Sequence, residues 1–333
     1  MKNDFLFFDL GTENIRIFSS SHGLVYHGSS IIALNDEAEV VAYGSSVHEA
    51  SFNQDIKIVY PIKNGTIANH HALLILLQTI LANHYKRGFR TRINGVFSIP
   101  TFATNVEQRA YLFVAQSLDF SDLLFIPEYI FCLTSIYEQL GKFGFEFITQ
   151  TGAGRFDTYL LNNGKMLYGD TQKGGFERMV ADMLKKVRFE EGVQIGRKIL
   201  FDAFSNTENQ HLVVKGRNKV TGEVVEKTIE RAYFQHLLEE SLIRFSGMIT
   251  EVFKRLSPDL SAEFLEKGLR LTGGPINENW FIRAIEEKTG FSAVISDTPG
   301  EDILRGFKLI SSDLQRDQLE KFNLLNNGNE VRG

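Results

Sequence analysis

The first residues that could do chemistry lie in a short turn close to the start of the chain. Within residues 4–18, Asp9 ends an apolar run, and Gly11 and Thr12 follow it before an alternating segment begins. This pattern predicts two strands joined by a tight turn. A carboxylate at the exposed end of a buried strand suits a hydrated cation, and the N–H groups of a glycine turn can bind phosphate oxygens. Taken alone, the stretch fits an ordinary polar β-turn more readily.

A second turn of the same kind lies near the middle of the chain. An apolar segment from Phe145 leads into the turn Gln150–Asp157, and the chain returns as Thr158–Leu161. The repeat predicts two similar halves whose phosphate-facing hairpins border a shared cleft. Two further glycine turns, Gly174-Gly175 and Gly273-Gly274-Pro275, each precede a predicted helix.

Strands followed by helices would position these turns. A strand over Ile93–Ile99 ends at Pro100, and a buried strand over Leu123–Ile126 leads into a helix that starts at about Glu128. Leucines at helical spacing predict a buried helix after Asn69, which is placed to cap it. This order of elements indicates an α/β fold. For the second half, the pattern predicts a helix over about Val193–Phe204, a hairpin over His211–Ile229 and an amphipathic helix over Ala232–Leu256.

Composition narrows the class of protein. The 333 residues are 43% apolar and 23% charged, which is typical of a globular protein long enough for two domains. The net charge of −5 gives no basic field that would favour nucleic acid as a partner. The single cysteine cannot form an internal disulfide, and the longest apolar run, Ala72–Leu77, is too short to cross a bilayer. No signal peptide is recognisable, so we expect a soluble intracellular protein.

The glycine turns, taken in order with the segments around them, resemble the actin superfamily and most closely the bacterial actin homologue MreB. The resemblance covers nearly the whole chain. Its segments are Asp9-Leu10-Gly11-Thr12, Pro61-Ile62-Lys63-Asn64-Gly65, Pro100 through Glu107-Gln108-Arg109-Ala110, Val214-Lys215-Gly216-Arg217-Asn218, Ser257-Pro258-Asp259-Leu260, Glu266-Lys267-Gly268, Leu271-Thr272-Gly273-Gly274 and Arg305-Gly306.

The resemblance implies an actin-like ATPase fold. Two α/β domains of RNase H-like topology would hold a nucleotide in a cleft between them, and each would carry a smaller subdomain. Domain I is expected over residues 1–146 and 302–333, with its subdomain at about 30–61. Domain II is expected over 147–301, with its subdomain at about 181–239.

The resemblance also implies a function. MreB proteins bind ATP, polymerise into paired protofilaments on the inner membrane surface and guide cell-wall synthesis. A similar role here would need ATP or ADP with Mg²⁺ as cofactors, other copies of the chain as partners, and a cytoplasmic location at the inner face of the membrane. Other MreB-type filaments and the membrane itself are further candidate partners.

The positions that match the family's motifs give the expected site residues. Asp9 would organise the metal, and Glu107 matches the glutamate that orients the attacking water. Nucleotide contacts are expected from Asp9, Gly11, Thr12, Glu13, Asn14, Gly152, Ala153, Gly154, Arg155, Gly174, Gly175, Gln194, Arg197, Gly273, Gly274 and Pro275.

Glu107 has a second interpretation. Thr104-Asn105-Val106-Glu107 is a capping box, in which the Glu107 carboxylate would bond back to the Thr104 amide. One carboxylate cannot easily cap a helix and orient a water at once.

The second phosphate turn departs from the family pattern. Gln150 replaces an aspartate, Ala153 a glycine, and Arg155 and Phe156 two threonines. The lost carboxylate removes one of two charges that would hold the Mg²⁺ hydration shell, and Arg155 adds a cation that could touch phosphate directly. We therefore expect nucleotide binding with weak or absent hydrolysis. The alternative for Arg155 is that it points to solvent.

The adenosine contacts also show departures. Pro275 replaces a third glycine and removes one N–H donor, although proline also suits the first turn of a helix. Gln194 and Arg197 would lie one helical turn apart, at about the position of the family's ribose and base contacts. A solvated helix face explains that pair equally well.

A membrane contact is expected near Phe89. The segment from Lys86 to Arg92 holds this one aromatic residue among four cations. Each cation near an anionic surface contributes about 1 kcal/mol, and a filament would multiply a weak anchor. A solvated helix end is the alternative.

Three functions compete on these grounds. The leading one is a filament-forming, nucleotide-binding protein with weakened hydrolysis. An active cytoskeletal ATPase that tolerates Gln150 and Arg155 is the first alternative. A non-polymerising adaptor or regulator of other MreB filaments is the second. A sugar kinase or chaperone of the same superfamily is disfavoured, because the later motifs follow MreB.

Overall fold

The chain divides into two compact units. The computed structural model describes residues 2–51, 56–86, 88–140, 144–312 and 320–324. The first unit comprises Met1–Phe143 together with Glu301–Gly333, and the second comprises Gly144–Gly300.

Each unit contains a five-stranded sheet. Among the described residues, the first unit also has a three-stranded and a two-stranded sheet, and the second has one three-stranded sheet. The strands of the first unit are β1 (Lys2–Leu10), β2 (Asn14–Ser19), β3 (Gly23–Ser29), β4 (Ile32–Leu34), β5 (Val40–Tyr43), β6 (Lys57–Val59), β7 (Ile62–Lys63), β8 (Thr66–Ile67), β9 (Thr91–Ile99) and β10 (Asp122–Pro127). Those of the second are β11 (Phe145–Thr151), β12 (Arg155–Asn162), β13 (Lys165–Lys173), β14 (Val193–Gln194), β15 (His211–Asn218), β16 (Val224–Glu230), β17 (Leu269–Thr272) and β18 (Ala293–Ile295).

The helices of the described chain connect and cover these sheets. They are α1 (Val47–Ala50), α2 (His70–His84), α3 (Asn105–Gln116), α4 (Glu128–Leu140), α5 (Gly175–Glu190), α6 (Arg197–Ser205), α7 (Arg231–Phe253), α8 (Pro258–Lys267), α9 (Asn279–Thr289) and α10 (Asp302–Ser312). No helix in these described ranges is both long enough and apolar enough to cross a bilayer.

The two large sheets have the same topology. The first runs β3-β2-β1-β9-β10 and the second β13-β12-β11-β17-β18. In each sheet the first three strands in the order pair antiparallel with their neighbours, and the last three pair in parallel with theirs. This confirms the prediction that the second half repeats the first at the level of its hairpins.

Aromatic packing holds each sheet to its helices. In the first unit, Phe7 of β1 packs on Phe307 of α10 with ring centroids 5.2 Å apart. In the second, Phe156 packs on Phe245 of α7 at 4.3 Å. The central strands are buried on both faces, as expected for the parallel part of an α/β sheet.

Local signals placed most elements correctly. Asn69 caps α2, since its side chain accepts a hydrogen bond from the Ala72 amide at 2.9 Å. The predicted helix over about Val193–Phe204 is wrong at its start. Val193 and Gln194 form β14 and pair with β15, and α6 begins only at Arg197. The pairing with β15 is non-local, so no local pattern could show it.

Candidate functional site

The first glycine turn joins β1 to β2 and has the tight form that the sequence predicted. The Gly11 amide donates to the Asn14 carbonyl at 3.0 Å. A Cβ at Gly11 would lie only 2.7 Å from that carbonyl oxygen, so the turn requires glycine. The Thr12 hydroxyl accepts a hydrogen bond from the Gly65 amide at 2.9 Å, which ties the turn to the β7–β8 hairpin. Glu13 is exposed at the tip.

Asp9 is engaged in an ion pair within this hairpin. Arg16 lies directly opposite it on β2, and the Arg16 Nη1 donates to Asp9 Oδ2 at 2.7 Å. The side chains are only 9% and 17% exposed, for Asp9 and Arg16 respectively. Sequence reasoning missed Arg16. The hairpin register that places residues 9 and 16 opposite one another was the signal that could have found it.

His27 extends this row of side chains onto β3, opposite Arg16. Burial lowers the pKa of His27, the positive charge of Arg16 lowers it further, and Glu301 and Asp9 act weakly in the other direction. His27 is therefore neutral at pH 7, and the charges of this row are those of Asp9 and Arg16.

These residues do not fit a carboxylate-held Mg²⁺ ion. Magnesium is usually bound through one or two carboxylates and keeps several waters. The Asp9 carboxylate is instead compensated by a guanidinium at hydrogen-bond distance. Across the described ranges there is also no group of three His, Cys, Asp or Glu side chains that could hold a metal ion. The assignment of Asp9 as a metal-organising residue stays a prediction.

The second turn, between β11 and β12, copies the backbone of the first. The Gly152 amide donates to the Arg155 carbonyl at 2.8 Å, as Gly11 does to Asn14. A Cβ at Gly152 would lie 2.9 Å from the Arg155 oxygen. The same glycine geometry thus recurs with different side chains.

Gln150 takes the position that Asp9 has in the first hairpin. It is 8% exposed, and its Oε1 accepts a hydrogen bond from the buried Tyr159 hydroxyl at 3.1 Å. Opposite Gln150 on β12 stands Asp157, which is 3% exposed. Gln150 is therefore a packed, hydrogen-bonded part of the hairpin.

Arg155 is buried, with only 7% of its surface exposed. The alternative that it points to solvent is wrong. Because a guanidinium stays charged in proteins, its burial fixes a positive charge inside this unit next to the turn.

The Gly174-Gly175 pair packs against the second turn through backbone atoms. Phe176 N donates to Gly152 O at 3.0 Å and Glu177 N to Ala153 O at 2.9 Å, while Gly174 N donates to Gly154 O at 2.9 Å. Gly175 has a φ of +50°, and a Cβ there would lie 2.6 Å from both Gly152 O and Ala153 O. The first turn of α5 therefore supports the β11–β12 turn directly.

The Gly273 turn reaches the same edge of the second sheet. Because β11 and β17 run in parallel, with Gln150 opposite Thr272, their carboxyl ends meet. Gly273 has a φ of +104°, and a Cβ at this position would overlap the Thr151 carbonyl. Pro275 lies in a 3-10 turn over Gly274–Asn277, which confirms its place at a helix start. Within the second unit, the three predicted glycine turns come together.

Arg197 is anchored to the first turn of α5. Its Nη1 lies 2.5 Å from Glu177 Oε1, and its guanidinium stacks over Phe176 and Phe201 at 5.5 and 5.1 Å from the ring centroids. Gln194 lies on β14 instead of α6, so the predicted helical spacing of this pair is wrong. The structure nonetheless brings Arg197 to the same helix start as Gly175.

Glu107 forms the capping box that the sequence indicated. Its Oε2 accepts hydrogen bonds from the Thr104 amide at 2.8 Å and from the Thr104 hydroxyl at 2.9 Å. The carboxylate therefore satisfies the start of α3. Its catalytic role stays a prediction.

Phe89 is 90% exposed and lies in a turn beyond the end of α2 at His84. The Arg90 guanidinium lies over the Phe89 ring, 5.2 Å from its centroid. Arg87, one of the four predicted cations, lies outside the described residues.

Comparison with known protein sequences gives a consistent set of relatives. The sequence profile of MreB/Mbl proteins matches residues 3–319. Cell shape-determining protein Mbl of Bacillus subtilis is 21% identical over 318 residues, which cover 92% of this chain and 96% of Mbl. Cell shape-determining protein MreB of Escherichia coli is 23% identical over 313 residues, 90% of each chain.

Solved structures show the same fold. MreB5 of Spiroplasma citri bound to AMPPNP superposes with a TM-score of 0.83 at 19% identity, over 96% of this chain and 99% of MreB5. The MamK double helical filament gives a TM-score of 0.73 at 16% identity, over 94% of this chain and 100% of MamK. The fold is therefore actin-like, as the sequence predicted. Since the profile match extends over almost its whole length, the chain belongs to the MreB/Mbl family.

Proposed function

We propose that this protein is a nucleotide-binding cytoskeletal protein that polymerises into filaments and hydrolyses ATP only weakly. Family membership supports the cytoskeletal role, and relatives of this chain are described as determining cell shape. The structures of MreB5 with AMPPNP and with ADP support nucleotide binding, and the MamK double helical filament supports self-association. A cytoplasmic location at the inner face of the membrane fits this role.

The environment of the Gln150 side chain is the observation that best supports weak hydrolysis. The side chain is neutral, buried and hydrogen-bonded to Tyr159, so it cannot supply the charge of the aspartate found there in the family. In the other hairpin, Asp9 is neutralised by Arg16. Neither position therefore offers the unpaired carboxylate that would help to organise a hydrated metal.

Glu107 adds to this argument. Orienting a water for attack requires a carboxylate oxygen aimed at that water. The Glu107 Oε2 instead accepts two hydrogen bonds from Thr104 at the start of α3. Activation of water would require this cap to open.

A phosphate-release assay tests the proposal. The full chain with ATP should release phosphate much more slowly than MreB of Escherichia coli under the same conditions. Restoring the family's side chains with Gln150→Asp and Arg155→Thr together should raise the rate. A parent rate equal to that of the Escherichia coli protein would overturn the weakened hydrolysis and favour an active ATPase.

A further inference from the structure

The two hairpins differ from each other in how charge is balanced at the turn. In the first, an aspartate and an arginine face each other as Asp9 and Arg16. In the second, the equivalent positions hold Gln150 and Asp157. The first strand position thus carries either a carboxylate that is already paired or no carboxylate at all. A divalent cation placed at either turn would find less negative charge than two unpaired aspartates would provide.

We infer that this protein binds nucleoside di- or triphosphates free of a divalent cation, and that the Arg16 guanidinium supplies the positive charge which Mg²⁺ would otherwise bring to the first turn. The inference rests on the proposed nucleotide binding and specifies the ligand as the uncomplexed nucleotide.

The chemistry of arginine fits this role. A guanidinium is planar, always charged and matched to phosphate oxygens, so it can stabilise an anion where a hydrated metal would stand. The Arg16 side chain is 17% exposed and held by Asp9 at 2.7 Å, so its charge is positioned before a ligand arrives. A metal organised by Asp9 would have to approach this fixed cation, and the repulsion opposes metal binding.

Arg155 provides a parallel in the second hairpin. It occupies the turn position equivalent to Asn14 and is 7% exposed. Each hairpin therefore holds a guanidinium within or directly beside its turn, where the family relies on carboxylates to organise Mg²⁺. In both hairpins a fixed cation thus stands close to the position where the family's carboxylate would help to organise Mg²⁺.

The test is a nucleotide titration of the full chain by isothermal calorimetry, with ATP in excess EDTA and in Mg²⁺. The inferred result is that the two Kd values agree within about threefold. A Kd at least tenfold weaker in EDTA, by order of magnitude, would overturn the inference and leave nucleotide binding intact. Absence of binding in both buffers would overturn the proposed nucleotide binding, and the inference with it.

Variants at position 16 test whether Arg16 is the residue that makes nucleotide binding independent of Mg²⁺. Arg16→Leu should raise the ratio of Kd in EDTA to Kd in Mg²⁺ by about tenfold, because Asp9 becomes available to a hydrated metal. Arg16→Lys keeps the charge and should keep the ratio close to one. Arg92→Leu is the matched control, since Arg92 pairs with Asp122 at the opposite end of the same sheet.

Asp9→Asn distinguishes a metal organised by Asp9 from a positive charge supplied by Arg16, because it leaves Arg16 in place. If Arg16 replaces the metal, this variant should bind ATP with the same Kd in EDTA and in Mg²⁺, because neither value depends on a metal held by Asp9. If Asp9 organises a metal, the variant should lose affinity in Mg²⁺ only, and that result would contradict the inference. Thermal unfolding of each variant verifies that it is folded.

Discussion

At the scale of single residues, the glycines of the second unit show how little room there is around the β11–β12 turn. Gly175 combines a left-handed φ with two carbonyl oxygens 2.6 Å from any added Cβ. Those oxygens belong to Gly152 and Ala153, and both accept hydrogen bonds from the first turn of α5. A side chain at Gly175 would therefore push the helix start away from the turn.

Gly175→Ala should lower the free energy of unfolding by about 2 kcal/mol or more, because backbone strain and backbone overlap act together. Chemical denaturation measures this directly. Gly247→Ala is the control: it lies inside α7 with nothing within 4 Å of the added Cβ, and it should stabilise the protein by about 0.5–1 kcal/mol. Equal effects at the two positions would contradict the structural role of Gly175.

Whether the role of a single residue could be predicted depended on whether the contact that determines it is local in sequence. The glycine turns, the Asn69 cap and the Glu107 capping box are short-range patterns, and the structure confirms each of them. The burial of Arg155 depends on the three-dimensional packing around the turn, which a local pattern does not show, so the sequence could not decide between phosphate and solvent. The Asp9–Arg16 pair is intermediate, because it follows from the hairpin register once the turn is known.

At the scale of elements, one buried carboxylate ties three segments of the first unit together. Asp4 at the start of β1 is fully buried. It accepts hydrogen bonds from Ser19 and Ser20 at the end of β2 and from Tyr85 just after α2, the last at 2.7 Å. Burial alone would raise the pKa of Asp4, but the hydrogen bonds from Tyr85, Ser20, Ser19 and the Ser21 amide outweigh it and hold the pKa below its ordinary value of 3.8.

This lowered pKa gives a pH dependence of defined sign. A carboxyl whose pKa is lower in the folded state stabilises the protein above its unfolded pKa, and the contribution is lost as the pH falls through the folded pKa. Asp4→Asn should therefore flatten the fall in Tm between about pH 5 and about pH 3. Thermal unfolding over that range measures it, with the exposed Asp36→Asn as control. An unchanged slope in Asp4→Asn would contradict the assignment.

The turn after α2 carries the proposed membrane contact. Phe89 is almost fully exposed, and Lys86, Arg90 and Arg92 are close to it in sequence. Phe89→Asp should reduce co-sedimentation with anionic liposomes, because it removes the apolar group and one net positive charge. Val220→Asp, at an 83% exposed position of the second unit, is the matched control. Binding that Phe89→Asp leaves unaffected would end this proposal.

The prediction of element boundaries has the same limit as the prediction of single residues, because a local pattern does not show contacts between distant segments. The wrong start of the predicted helix over Val193–Phe204 comes from a two-residue strand, β14, whose paired residues on β15 are Asn218 and Arg217, more than twenty residues further on. Strands β1 and β9 were easier to predict, because each is a long and largely apolar run that a glycine or a proline follows. Strand β13 was missed, because it is polar and mostly exposed.

At the scale of the whole molecule, both units use the same five-strand topology around one hairpin turn. The backbone of the turn is kept in both, whereas the side chains that would manage a metal differ. The proposal of nucleotide binding with weak hydrolysis rests on this combination. Family membership alone could not have predicted it, because the differences lie in individual side chains.

The most direct measurement is electron microscopy and phosphate release on the same samples, with ATP, with ADP and without nucleotide. The account predicts filaments in the presence of ATP with little phosphate released while they form. Filaments that release phosphate as fast as MreB of Escherichia coli would contradict the weakened hydrolysis. An absence of filaments in all three samples would contradict polymerisation and favour an adaptor of other filaments.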